Sequence, residues 1–177
     1  MLRGIVRLEP TLTFRACDGQ LLATVLDSTG ERLIPAYQVI RPGDDGMYVE
    51  AAGHETEKRE VVLRTVEYAA RPGPGLGCEQ PPSSALLRAF GRRPDWRLSI
   101  TATGVELTLA GQPGLTFSAP ALDDSAGHLR YRSDRFHLLL TALPCTEDST
   151  GTFGSMRAVV TVEGRVLQGC ASHGMVR

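Results

Sequence analysis

The chain has 177 residues, 42% of them hydrophobic and 22% charged, with a formal net charge of −1. That is enough apolar material for a packed core, in one large or two small domains. The near-zero charge excludes the electrostatic footprint of a nucleic-acid or anionic-membrane binder, and no apolar run reaches the length of a membrane-spanning helix.

Three strands open the chain. Residues 4–8, 12–16 and 21–26 are apolar-rich and separated by Glu-Pro and Asp-Gly turn signals. In the segment 31–40, apolar Leu33, Ala36, Tyr37 and Ile40 recur at helical spacing. Pro35 suits a first turn, and Pro42-Gly43 ends the helix. Residues 47–52 and 60–68 read as two further strands. Three strands, a short helix and two strands is the order of an OB-like five-stranded barrel.

The segment Arg71-Pro-Gly-Pro-Gly-Leu-Gly-Cys-Glu-Gln-Pro-Pro-Ser-Ser84 holds four prolines and three glycines. No regular element runs through such a stretch. It is expected to be a linker (71–84) between an OB-like β domain (1–70) and an antiparallel β domain (85–177). In the second domain residues 84–90 form a helical turn or an extended entry. Strands follow over 95–100, 105–109, 115–118, 129–132, 136–142, 156–162 and 165–169. Trp96, Leu98 and Ile100 alternate onto one face, as do Val105, Leu107 and Leu109. That alternation, with a Glu163-Gly164 turn between the last strands, predicts an antiparallel barrel or sandwich with Trp96 in its core.

The cysteines are Cys17, Cys78, Cys145 and Cys170. Four allow three pairings. The last two bracket a hairpin that brings them together, and neither has a second ligand at zinc-knuckle spacing. Sequential pairing, Cys17 with Cys78 and Cys145 with Cys170, gives each half its own staple and an oxidising compartment. Residues 1–9 hold no apolar core of a secretory leader. Either the chain stays in the cytosol with free thiols, or a leader preceded Met1; the cysteines favour the second.

Motifs for turnover are absent. His54, His128, His137 and His173 are scattered, with no H-E-x-x-H spacing. The run Asp148-Ser-Thr-Gly151 has one residue too many for an aspartic-protease loop. Cys170-Ala-Ser-His173 lacks an unpaired thiol. There is no G-x-S-x-G, phosphate or dinucleotide loop, and Asp44-Asp45-Gly46 lacks the further carboxylates of a calcium loop. No metal, cofactor or catalytic residue is expected. Arg92, Arg93, Arg97, Arg130, Arg132 and Arg135 could make a basic face, or pair with Asp95, Asp123, Asp124 and Asp134.

Two resemblances join these readings. Residues 89–109 resemble the "G-x-E-P-x-W-x-L-x-I … G-L-x-L" opening of an uncharacterised bacterial envelope family. Cys145-Thr-Glu-Asp … Gly164-Arg-Val-Leu-Gln-Gly-Cys170 resembles that family's "C-x-D-x-M-S … G-x-x-L-x-G-C" ending. In the first half Gly4-Ile-Val-Arg-Leu, Thr13-Phe-Arg-Ala-Cys17, the helix with Tyr37 and Tyr48-Val-Glu-Ala-Ala-Gly53 are similar to the OB-like domain of NlpE-type copper-homeostasis and envelope-stress lipoproteins. The Cys-x-x-Cys pair of those lipoproteins is not present. These likenesses imply a non-catalytic binding or stress-sensing module with a protein or cell-envelope partner. They place it in the periplasm or on the outer membrane, with a lipid anchor upstream of Met1. Ser125-Ala-Gly-His-Leu-Arg-Tyr131 resembles the Ser-Gly-x-x-Tyr loop of c-type lysozyme inhibitors. It makes Ser125 and Tyr131 the ligand-contacting residues of an alternative inhibitor reading.

Overall fold

The computed structural model describes residues 1–175 except 9, 31, 74–75, 82–83, 126–127 and 148–149. It is mainly β and divides into two units. Among the described residues, one contains 1–81 with 150–153, the other 84–147 with 154–175.

In the first unit β1 (Leu2–Arg7), β2 (Thr13–Ala16) and β3 (Leu22–Asp27) form an antiparallel meander. Helix α1 (Leu33–Ile40) precedes β4 (Met47–Glu55) and β5 (Glu60–Ala70). β5 pairs parallel with β3 and antiparallel with β4, and β4 returns to β1. The result is a closed five-stranded barrel in the order β1-β2-β3-β5-β4, as the element order predicts. Closure leaves none of its strands at an edge along its whole length. Val6, Phe14, Val25, Met47, Val49, Val61 and Leu63 fill the interior, and α1 turns Leu33, Ala36 and Ile40 into it.

The helix starts where a side chain satisfies its orphan amides. The Thr29 hydroxyl accepts from the backbone N–H of Arg32 and of Leu33 at 3.1 Å each, and donates to Asp27 Oδ1 at 2.6 Å. It ends at Arg41, which adopts left-handed geometry (φ 48°) while its N–H bonds Tyr37 O, one residue before the Pro-Gly stop read from sequence. Thr29→Ala is expected to lower stability by about 1–2 kcal/mol, read from urea melts, with Thr29→Ser close to wild type.

The second unit is a nine-stranded antiparallel sheet curved into a half-barrel. Its strands are β6 (Leu87–Arg92), β7 (Asp95–Ile100), β8 (Gly104–Leu109), β9 (Leu115–Ser118), β10 (Ala121–Ser125), β11 (His128–Ser133), β12 (Phe136–Thr141), β15 (Met156–Val162) and β16 (Arg165–His173). The short β13 (Cys145–Glu147) and β14 (Thr152–Gly154) lie between β12 and β15 in the chain. The sheet order is β10-β11-β12-β15-β16-β6-β7-β8-β9. The two outermost strands, β9 and β10, are consecutive in sequence and joined by Ala119-Pro120 alone. Three peptide units span at most about 11 Å, so the last residue of β9 and the first of β10 stand no further apart than that. Pro120, with no N–H, marks the point where hydrogen bonding passes from β8 to β11.

Of residues 84–90, open between a turn and an extended entry, 87–90 are extended and begin β6. Trp96, Leu98 and Ile100 are buried with Val105, Leu107 and Leu109, joined by Phe136, Leu138, Val160 and Val162. Glu163 and Gly164 both have positive φ, 49° and 78°, the backbone a two-residue hairpin needs. β15 and β16 accordingly pair up to the turn, Val162 opposite Arg165.

The described part of the Pro/Gly segment does more than connect. Gly73 and Leu76 form an isolated bridge, and Gly77, Cys78 and Gln80 tie residues 76–81 to the barrel. Phe153, far along the chain from the barrel's own strands, is buried in the barrel core, so that core draws on distant parts of the sequence.

Candidate functional site

All four cysteines pair as expected. Cys17 bonds Cys78 and Cys145 bonds Cys170, and none is free. This uses up the thiols as nucleophiles or metal ligands. Two disulfides point to an oxidising, extracytoplasmic environment.

A connected polar cluster lies on the outer side of the barrel. Alternation along β4 turns Met47, Val49 and Ala51 inward, so Tyr48 and Glu50 point outward. β1 places Arg3 directly opposite Glu50. Arg3 Nε donates to the Tyr48 hydroxyl at 2.9 Å, and that hydroxyl donates to Glu50 Oε1 at 2.8 Å. The Arg3 guanidinium also donates to Gln80 O at 2.6 Å, and its carbon stands 5.8 Å from the Tyr48 ring centroid. Tyr68 meets Tyr48 edge-on at 6.2 Å. Glu50 is only 3% exposed, a burial a carboxylate tolerates when its oxygens have partners.

This cluster fastens residues 76–81 beside the Cys17–Cys78 bond. Burial first, and then the Glu50 charge, push the Tyr48 phenol up to about 12. A phenol held protonated that far above neutrality is a poor proton-transfer group at physiological pH. It is instead a donor that keeps Glu50 satisfied.

A pH dependence follows. The unfolded phenol ionises near 10 and the folded one near 12. Below pH 10 both are protonated and the contribution is complete. Between the two values the unfolded chain loses its proton first, and stability falls by about 2–3 kcal/mol in all. Tyr48→Phe is expected to remove that part of the alkaline decline. Equal declines in wild type and variant, in urea midpoints from pH 9 to 12, would contradict the assignment.

A different feature marks the outer face of β3. Leu22 is 72% exposed and Leu26 43%, with exposed Thr24 between them. Arg15 of β2 lies opposite Leu22, and half-buried Val62 of β5 opposite Leu26. Exposed Arg64 stands on neighbouring β5, and exposed Arg7 on β1, one strand beyond β2.

The remaining expected residues are dispersed. Tyr131 packs against the core of the second unit, where burial raises its phenol. Ser125 ends β10 opposite His128; its side chain, with Ala126 and Gly127, lies outside the described residues. So do Asp148 and Ser149 of the Asp-Ser-Thr-Gly run. Of the arginines, Arg92 pairs with Asp95 at 3.5 Å and Arg135 with Glu163. Arg130 stands opposite Asp123 on β10. Among the described residues no three His, Cys, Asp or Glu side chains gather as metal ligands, and no helix is long and apolar enough to cross a membrane.

Sequence reasoning singled out neither the Arg3–Tyr48–Glu50 cluster nor the β3 face. The signal for the first was a Tyr and a Glu two apart on the polar side of an alternating strand. For the second it was Leu22 and Leu26 flanking Thr24, out of phase with the buried Ala23 and Val25. Comparison with family models, with curated proteins and with solved structures finds no match to this chain.

Proposed function

We propose that this chain is a non-catalytic binding or stress-sensing module working on the periplasmic side of a Gram-negative envelope, free there or held to the outer membrane by a lipid anchor. The observation that carries this reading is that the four thiols, the Glu50 carboxylate and the Tyr48 phenol are engaged in structure. The thiols are in disulfides, and the buried carboxylate and phenol hold the 76–81 segment through Arg3. The strand order β1-β2-β3-β5-β4, with a helix between β3 and β4, supports an OB-like barrel. Such barrels present a sheet face to ligands, and here that face carries exposed leucines. The disulfides support the compartment.

The test is photocrosslinking in the host, from the gene with its own upstream region. A photoreactive residue is placed at Thr24 in the first unit or Gln168 in the second, both exposed. The expected result is a discrete protein or envelope adduct from at least one position; none from either contradicts the binding reading. Added c-type lysozyme is expected to keep its activity. Near-stoichiometric inhibition, lost on Tyr131→Ala with the fold retained, would put the inhibitor reading first.

A further inference from the structure

We propose that the outer face of β3, with the flanking parts of β2 and β5, docks an acidic amphipathic helix of a protein partner; this rests on the binding-module reading above. The apolar part of the face is Leu22, Leu26 and Val62. A strand rises about 3.3 Å per residue, so Leu22 and Leu26 stand about 13 Å apart. Two turns of an α-helix cover about 11 Å. A helix lying along β3 therefore sets apolar residues two turns apart on the two leucines, with Thr24 beneath its middle.

The backbone of the face is already paired. β3 bonds β2 on one side and β5 on the other, so a partner cannot add a strand there and must make contact through side chains. A helix satisfies its own backbone and offers side chains alone.

Charge selects the partner. Arg15 stands beside Leu22, Arg7 stands one strand further out, opposite Thr13, and Arg64 lies two residues beyond Val62 on β5. None of the three makes an ion pair with a described residue. The acidic residue within the face is half-buried Glu60, opposite Thr24. Asp27, at the end of β3, already accepts from the Thr29 amide and hydroxyl. An isologous contact with a second copy would bring arginines against arginines. A helix with acidic flanks meets them with opposite charge.

The test uses fluorescence anisotropy with a labelled helical peptide of about four turns, leucines on one face and glutamates on the other. The controls are a lysine-for-glutamate version, single-stranded DNA and vesicles of anionic phospholipid. The acidic peptide is expected to bind and the lysine version not. Leu22→Ser and Arg15→Glu are each expected to weaken binding about tenfold, and added salt to weaken it further. Both residues are exposed, so melting curves should match wild type.

Failure of the acidic peptide to bind, equal binding of the lysine version, or indifference to Leu22→Ser overturns the proposal. DNA or vesicles binding in place of the peptide, with loss on Arg15→Glu, overturns it in favour of that polyanion. If the peptide fails while adducts form in cells from Gln168, the docking face falls and the binding reading stands. If adducts are absent from both positions too, both fall.

Discussion

Replacing Trp96 by alanine is expected to destabilise the second unit by about 3–5 kcal/mol. The side chain is 1% exposed and central to that core. Its indole N–H donates to Gln168 O at 3.3 Å. Two glycines make room for the ring. A Cβ on Gly91, its cross-strand partner, would stand 2.4 Å from the indole nitrogen. A Cβ on Gly169 of β16 would stand 2.9 Å from the ring and 2.0 Å from Phe90 O. The indole thus lies over bare backbone on two neighbouring strands, and alanine would leave a cavity no neighbour can fill. Denaturant melts followed by circular dichroism measure the effect, since Trp96 is the sole tryptophan. Trp96→Phe should fall between the two. A loss under about 1 kcal/mol for the alanine variant would mean the ring is not a core element.

Removing the disulfides is the second large effect. Cys17–Cys78 closes a separation of 61 residues and Cys145–Cys170 one of 25. Constraint of the unfolded chain gives about 4 kcal/mol for the longer loop and about 3.5 kcal/mol for the shorter. Losing the first should also free residues 76–81, leaving Arg3 as their main tether. The Cys17→Ser/Cys78→Ser and Cys145→Ala/Cys170→Ala double variants should each melt at lower urea than wild type, the first with added protease cleavage within 71–84. Unchanged midpoints would show that the reduced chain is equally constrained by other contacts.

What could be read from the sequence was local. Trp96, Leu98 and Ile100 announce their buried face by period two, α1 by its 33–36–40 spacing, and the last hairpin by Glu163-Gly164. Cysteine pairing was legible because each half holds two. Strand β10 was not: Ala-Leu-Asp-Asp-Ser has weak strand propensity and becomes a strand through its ladder with β11. Strands β13 and β14, of three residues each, are too short to show a period. The place of Phe153 in the barrel core is a non-local fact with no local signal. The Arg3–Tyr48–Glu50 cluster likewise needs β1 beside β4, 45 residues separating Arg3 from Tyr48. The β3 face requires knowing that the barrel closes, since only then do Leu22 and Leu26 have no side left but the outside.

The two disulfides put this protein in an oxidising environment outside the cytosol, and that assignment can be measured. It is tested most directly by trapping thiols in acid in host cells that carry the gene with its own upstream region. The fractions are then alkylated and mapped as non-reduced peptides. The account predicts Cys17–Cys78 and Cys145–Cys170 links in the periplasmic or outer-membrane fraction. Four alkylated thiols in protein recovered with the cytoplasm would contradict it.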